Sequence, residues 1–160
     1  MLHAFVFAAL LAAKSSGTQM CVLAPADVRA AGLPATAKPR MNPDQHGQSA
    51  YCTYNGVSGA YGGVELDVFY PAGDTPPDVM QAFTTVMRED PQPGGYLPVP
   101  LPGADEARLG LRIPSAGHKP FAAIDVRRGD LVFTISIPTG PHAKAQLLHL
   151  SALVLSRLKA

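Results

Sequence analysis

The alternation of apolar and polar residues predicts a set of strands in the middle and later parts of the chain. Residues 64–70 alternate between apolar and polar side chains, and residues 108–113 do the same. A period of two is typical of a strand that buries one of its faces. Residues 96–103 are extended and rich in proline, which suits an edge strand or a linker. Three other strands are predicted at residues 50–54, 121–126 and 131–137, the last two forming a tight hairpin around Gly129.

Helices are predicted where apolar residues recur every three or four positions behind a start signal. Residues 25–31 begin with a proline and are followed by Gly32, which favours a short helix that ends there. Residues 75–87 start at a threonine cap with proline at the next position. A final helix over residues 141–158 carries an apolar stripe that suits packing across a sheet. Its stripe consists of Ala143, Leu147, Leu150, Val154 and Leu158, widened by Leu148 and Leu155.

Together these elements predict an α+β fold with a single antiparallel sheet of about five strands and helices on one face. Residues 68–83 and 135–148 share a plan of strand, proline, glycine and proline-started helix. The chain is therefore expected to contain two hairpin-plus-helix units and a short N-terminal helix. An antiparallel sheet can bury one face and leave the other to solvent.

The N terminus is predicted to be a secretory signal peptide over residues 1–17, followed by a single α+β domain over residues 18–160. Residues 4–13 form an apolar run, which is short of the roughly 20 residues that span a bilayer but suits the core of a signal. We therefore expect a secreted or periplasmic, extracytoplasmic protein without a transmembrane helix. A buried N-terminal helix of a cytosolic protein is the alternative.

The chain has two cysteines, Cys21 and Cys52. In an oxidising compartment they are expected to form a disulfide that closes a loop of roughly 32 residues. Two cysteines alone do not make a zinc site, so no metal is predicted. Lipid attachment at Cys21 needs small residues directly before it, whereas Gln19 and Met20 stand there. A lipid anchor is therefore not expected.

The charge and composition of the chain argue against a nucleic-acid partner and against a disordered chain. Thirteen basic and twelve acidic residues give a net charge of +1, with no block of either sign. A nucleic-acid binder would show a basic stripe, so no nucleic-acid partner is predicted. Apolar residues make up 47% of the chain, which argues against disorder. No cofactor motif is present, and none is predicted.

Histidines are the first candidates for metal ligands or catalytic residues, and the sequence predicts neither a metal site nor a catalytic site from them. His142 and His149 are seven residues apart on the last helix, too far apart to share one metal ion, and they fall opposite its apolar stripe. No nucleophile elbow is present around Ser58, so no catalytic residue is predicted. The alternative is a secreted hydrolase that uses the loop residues His46 and His118 with Asp44 and Ser58.

The sequence favours a binding or interaction module without catalytic activity over an enzyme. Its partner would be an unknown protein or polar ligand in the cell envelope or the medium. The predicted surface is the sheet face opposite the helices, because strand alternation sends charged residues there. An ordinary solvated face with ion pairs, or a protein inhibitor that acts through the hairpin loop at 55–63, are the alternatives. The proposed binding residues are Glu65, Asp67, Phe69, Arg108, Arg112, Asp125 and Arg127.

Several short motifs resemble a group of small exported actinobacterial proteins and lipoproteins of unknown function. Cys21 opens VLAPADVRAAG, Cys52 opens CTY, and PGADEARL and VRRGDLVFTISI precede a leucine-rich terminal helix. The resemblance covers most of the chain after residue 20. It implies a disulfide between Cys21 and Cys52, an extracytoplasmic location, and a binding or sensing role without chemistry. The chain departs from the group at the lipid-attachment site.

Overall fold

The computed structural model describes residues 21–36, 38–43, 49–54, 63–69, 96–112, 120–129 and 131–158. These residues form one sheet and two helices. The strands are β1 (Arg40–Pro43), β2 (Ser49–Thr53), β3 (Glu65–Phe69), β4 (Tyr96–Pro98), β5 (Glu106–Arg112), β6 (Phe121–Arg128) and β7 (Leu131–Pro138), and the helices are α1 (Pro25–Ala30) and α2 (Ala143–Arg157).

The sheet is antiparallel throughout and has the order β1-β2-β3-β7-β6-β5-β4. Two meanders, β1 to β3 and β4 to β7, meet where β3 pairs with β7. The predicted α+β class with a single antiparallel sheet is confirmed, and the described part of the chain contains seven strands rather than about five. The two further strands lie at the edges of the sheet. β4 falls within residues 96–103, where an edge strand or a linker was predicted, and β1 was not predicted. The predicted helix at residues 75–87 falls outside the described residues.

The hairpin between β6 and β7 has the tight turn that the sequence predicts. Arg128 pairs with Leu131 across the two strands, which leaves two residues in the turn. Gly129, the first of these, has a φ of +56°, a left-handed conformation that residues with a Cβ rarely adopt. The turn therefore fixes the register of the two longest strands.

The core lies between the sheet and α2. Alternate residues of the central strands face the helix, with Val126 opposite Phe133 and Ile124 opposite Ile135. From the helix, Leu150 packs into the same core and is fully buried. The predicted stripe of α2 is confirmed, because its five residues are all buried. His142 and His149 are exposed, also as predicted.

The opposite face of the sheet, meaning the face turned away from α2, is not open to solvent at its centre. Ala123 and Val132 lie on this face and are both fully buried. The expectation that this face is free is therefore wrong at the centre of β6 and β7. Both strands contain nearly continuous apolar runs, which is typical of strands that are buried on both faces.

The N-terminal arm, residues 21–36, lies beside α2 and is tied to the sheet by a disulfide. Cys21 and Cys52 are bridged, with an S–S distance of 2.02 Å, as predicted. Polar contacts join the arm to α2 as well. Gln146 Nε2 donates to the Ala31 carbonyl at 2.9 Å, and Arg157 Nη1 donates to the Val22 carbonyl at 2.8 Å. The arm contributes the buried side chains Leu23, Val28 and Leu33.

A two-point ion pair between Asp27 and Arg157 makes part of this attachment depend on pH. Arg157 Nη2 donates to Asp27 Oδ1 at 3.0 Å, and Arg157 Nη1 donates to the other carboxylate oxygen. The hydrogen bond from Arg157 holds the pKa of Asp27 below its ordinary value. Because the folded-state pKa is lowered, the stabilisation is present above the unfolded-state pKa and is lost as the pH falls through the folded-state pKa.

We therefore expect Asp27→Asn to destabilise the protein at pH 7 and to do so less at low pH. At pH 7 the free energy of unfolding of the variant should be lower than that of the wild type by about 1 kcal/mol or less, because the ion pair is accessible to solvent. Chemical denaturation of the two proteins at a series of pH values from 7 to 2 measures it. A difference that stays constant down to the lowest pH would contradict the assignment.

Candidate functional site

The strand register brings the seven predicted binding residues to the opposite face of the sheet. Glu106 stands opposite Arg127, and Arg108 stands opposite Asp125. In the other half of the sheet, Glu65 stands opposite Ser136. The remaining pairs on this face are Asp67 with Thr134, Phe69 with Val132, and Arg112 with Phe121.

A group of charged side chains lies where β5 begins and β6 ends, and it remains partly exposed. Arg108 Nε donates to Glu106 Oε1 at 3.0 Å. The guanidinium of Arg127 lies 3.8 Å from Asp105 Oδ2 and 3.9 Å from Glu106 Oε2. The side chain of Arg127 is 30% exposed and that of Asp105 is 52% exposed. We call these four residues, Asp105, Glu106, Arg108 and Arg127, the charged end of the face. Asp105 and Arg127 are its more exposed members.

The loop before β5 positions this charged end. The Asp105 backbone N–H donates to the Arg127 carbonyl at 2.8 Å, and Asp105 Oδ2 accepts from the Gly129 N–H at 2.6 Å. The loop therefore stays fixed to the hairpin turn. A shallow depression of about 400 Å³ adjoins it, lined by residues 99–102 and 104–107.

Asp125 does not belong to the exposed surface. Its side chain is on the opposite face as predicted, but the residue is only 1% exposed. Asp125 Oδ1 accepts a hydrogen bond from the Thr134 hydroxyl at 2.5 Å. A buried carboxylate needs such partners, and this bond fixes Asp125 inside the protein. The prediction that Asp125 contacts a partner from solvent is therefore corrected.

Glu65 is the unusual carboxylate of this face. It is half-buried between Thr53 of β2 and Ser136 of β7. Within the described part of the chain it has no hydrogen bond and no ion pair. Burial raises the pKa of the Glu65 carboxyl above its ordinary value. Since desolvation disfavours the charged form, the ionised side chain costs folding free energy at neutral pH.

Replacing Glu65 by glutamine is expected to stabilise the protein at pH 7. The folded-state pKa is raised, so the penalty is present above that pKa and disappears as the pH falls below the unfolded-state pKa. The gain should be a few tenths of a kcal/mol to about 1 kcal/mol, because the side chain is only half-buried. Denaturation at pH 7 and at pH 3 measures it, with the gain absent at pH 3. A loss of stability at pH 7 would contradict this assignment.

Several other predicted features fall outside the described residues. They are the signal peptide at residues 1–17, the hydrolase candidates Asp44, His46, Ser58 and His118, and the hairpin loop at 55–63 except for its last residue, Gly63. Among the residues that the structure describes, no helix is long and apolar enough to cross a membrane. No group of three or more metal-ligating side chains occurs in that same part of the chain.

Sequence reasoning did not include Asp105 and Glu106 in the binding surface. Glu106 lies two positions before Arg108 in the same strand, so both side chains must point to one face. That spacing is the signal that places Glu106 with the charged end.

Comparison with known proteins gives this site no precedent. No protein-family model matches the chain, and no curated protein matches it either. The resemblance to small exported actinobacterial proteins therefore stays a prediction, and the site has to be interpreted from the chemistry of its own residues.

Proposed function

We propose that the protein is an exported binding or interaction module without catalytic activity, secreted or held outside the cytoplasm in the cell envelope. Its partner would be a protein or a polar ligand in the envelope or the medium. The small exported actinobacterial proteins that the sequence resembles are the group to which we assign it.

The disulfide between Cys21 and Cys52 supports the exported location. Disulfides persist in oxidising compartments and are rare in the cytosol, where thiols are kept reduced. The bridge also bears on how the protein would be held in an envelope. Because the sulfur of Cys21 is bonded to Cys52, it cannot at the same time carry a thioether-linked lipid. The exported form would therefore lack a lipid anchor at this cysteine.

Glu65 is the observation that carries the binding proposal. A half-buried carboxylate without a partner among the described residues lowers stability, and such groups are found at functional sites more often than elsewhere. A cationic or hydrogen-bond-donating group of a ligand would offset its desolvation. The charged end offers both signs of charge on the same face, which suits a polar partner better than a lipid.

Two charge changes on this face test the proposal. Glu65→Gln removes the unpartnered charge, and Arg108→Glu reverses one charge of the charged end. Lys144→Glu is the matched control, because Lys144 is exposed on α2, away from this face. The exported protein is purified with whatever it holds, and mass spectrometry quantifies the bound material. We expect both face variants to lose partner while the control retains it.

Two other outcomes would contradict the proposed binding site. Unchanged capture by both face variants would overturn the proposed site. Loss of capture from substitutions in the 55–63 loop instead would favour a protein inhibitor that acts through that loop. Circular dichroism of each variant shows whether the fold is preserved, so a loss of partner can be assigned to the surface.

A further inference from the structure

The two half-cystines of the disulfide differ in their burial. Cys52 is the penultimate residue of β2 and is fully buried. Cys21 begins the N-terminal arm and is only partly buried. An attacking thiolate has to reach a sulfur along the line of the S–S bond, so access decides which sulfur reacts.

We propose that the Cys21–Cys52 disulfide is a reversible latch on the N-terminal arm, opened by thiol–disulfide exchange at the Cys21 sulfur. The co-reactant is a dithiol of the kind that envelope oxidoreductases carry. This inference rests on the proposed export, because disulfides form and persist in oxidising compartments.

The exchange balances in two steps. A thiolate of the co-reactant attacks Cys21 Sγ and forms a mixed disulfide, while the bond to Cys52 breaks and Cys52 leaves as a thiolate that takes up a proton. The second thiolate of the co-reactant then displaces Cys21, which leaves as a thiolate and takes up the second proton. The protein gains two electrons and ends as a dithiol, and the co-reactant is oxidised to its disulfide.

Opening the latch would let the arm detach more often and leave the rest of the fold in place. Without the bridge, the arm is held by the buried side chains of Leu23, Val28 and Leu33 and by its polar contacts with Gln146 and Arg157. The helix α2 has its own attachment, because Arg128 Nη1 of the β6–β7 hairpin donates to the Leu155 carbonyl at 2.7 Å and its Nη2 donates to the Leu158 carbonyl. Basic groups at a helix C terminus satisfy its free carbonyls.

The site of exchange is tested with glutathione as the probe. The oxidised protein is incubated with excess glutathione, quenched with iodoacetamide and mapped by mass spectrometry. We expect glutathione on Cys21 and the alkyl group on Cys52 in the single-exchange product. Glutathione on Cys52, or an equal distribution over both cysteines, would overturn the proposed entry point.

Release of the arm is tested by proteolysis and amide exchange of the full chain. Arg29 is exposed in α1 and offers a trypsin site inside the arm. Reduction with dithiothreitol should increase cleavage after Arg29 by about a hundredfold, because the cross-link no longer restricts opening. The amides of α2 should keep their protection. The Cys21→Ser, Cys52→Ser double variant should match the reduced protein and be insensitive to dithiothreitol.

Other outcomes separate this inference from the proposed export. Equal cleavage rates with and without reduction would overturn the latch, as would loss of protection over the whole sheet. Neither result bears on export, which is judged by whether protein recovered from outside the cytoplasm carries the disulfide.

Discussion

Cys52→Ala is expected to lower the free energy of unfolding by about 2 to 5 kcal/mol, the usual effect of losing a native disulfide in a small secreted domain. The bridge joins residues 31 positions apart, so it restricts the unfolded chain. The Cys52 side chain is also fully buried, so its removal leaves unfilled space in the core. Both effects act in the same direction.

Reduced wild-type protein is the matched control for this substitution, because it keeps both sulfur atoms and loses only the cross-link. Denaturation of oxidised wild type, reduced wild type and Cys52→Ala should place the reduced protein between the other two. If oxidised and reduced wild type unfold at the same denaturant concentration, the bridge does not stabilise the fold and the prediction fails.

Leu150→Ala is expected to cost about 2 to 5 kcal/mol, because it opens a cavity between α2 and the sheet. Leu150 is fully buried on the face of α2 that packs against β6 and β7. Its neighbour His149 points to solvent, so His149→Ala should change stability by no more than about 0.5 kcal/mol. Equilibrium denaturation of both variants measures the contrast. Equal effects would show that the assignment of helix faces is wrong.

The apolar pattern predicted the inner face of the sheet well because burial and alternation coincide there. Leu66, Ile124 and Ile135 each occupy an inward position in the alternation of their own strand, and all three are fully buried. The edge strand β1 was missed, because Arg40–Pro43 has no alternation and includes a proline. Its strand conformation follows from pairing with β2, which is a tertiary effect that local propensity does not contain.

The opposite face was misjudged for a reason visible in the sequence. β6 begins Phe-Ala-Ala-Ile and β7 begins Leu-Val-Phe, so apolar residues occupy both faces of these strands. Such runs indicate burial on both sides, whereas the predicted surface assumed strict alternation in these strands. The charged residues of the face could be predicted from their spacing. Their burial could not, because it depends on what packs against each position.

The candidate site was partly predictable for the same reason. Strand register placed Glu65, Arg108 and Arg127 on one face, and the spacing of residues in each strand fixes that face. The difference between a reachable Arg127 and a buried Asp125, two positions apart, comes from packing across the sheet. No local pattern separates these two residues.

The intact mass of the protein recovered from outside the cytoplasm, measured without reducing agent, tests the central claim most directly. We predict a chain that lacks the signal peptide, carries no lipid, and weighs about two mass units less than the dithiol form, because the disulfide has lost two hydrogens. Recovery of the protein only from the cytoplasm, or of an exported chain with two free thiols, would contradict the account.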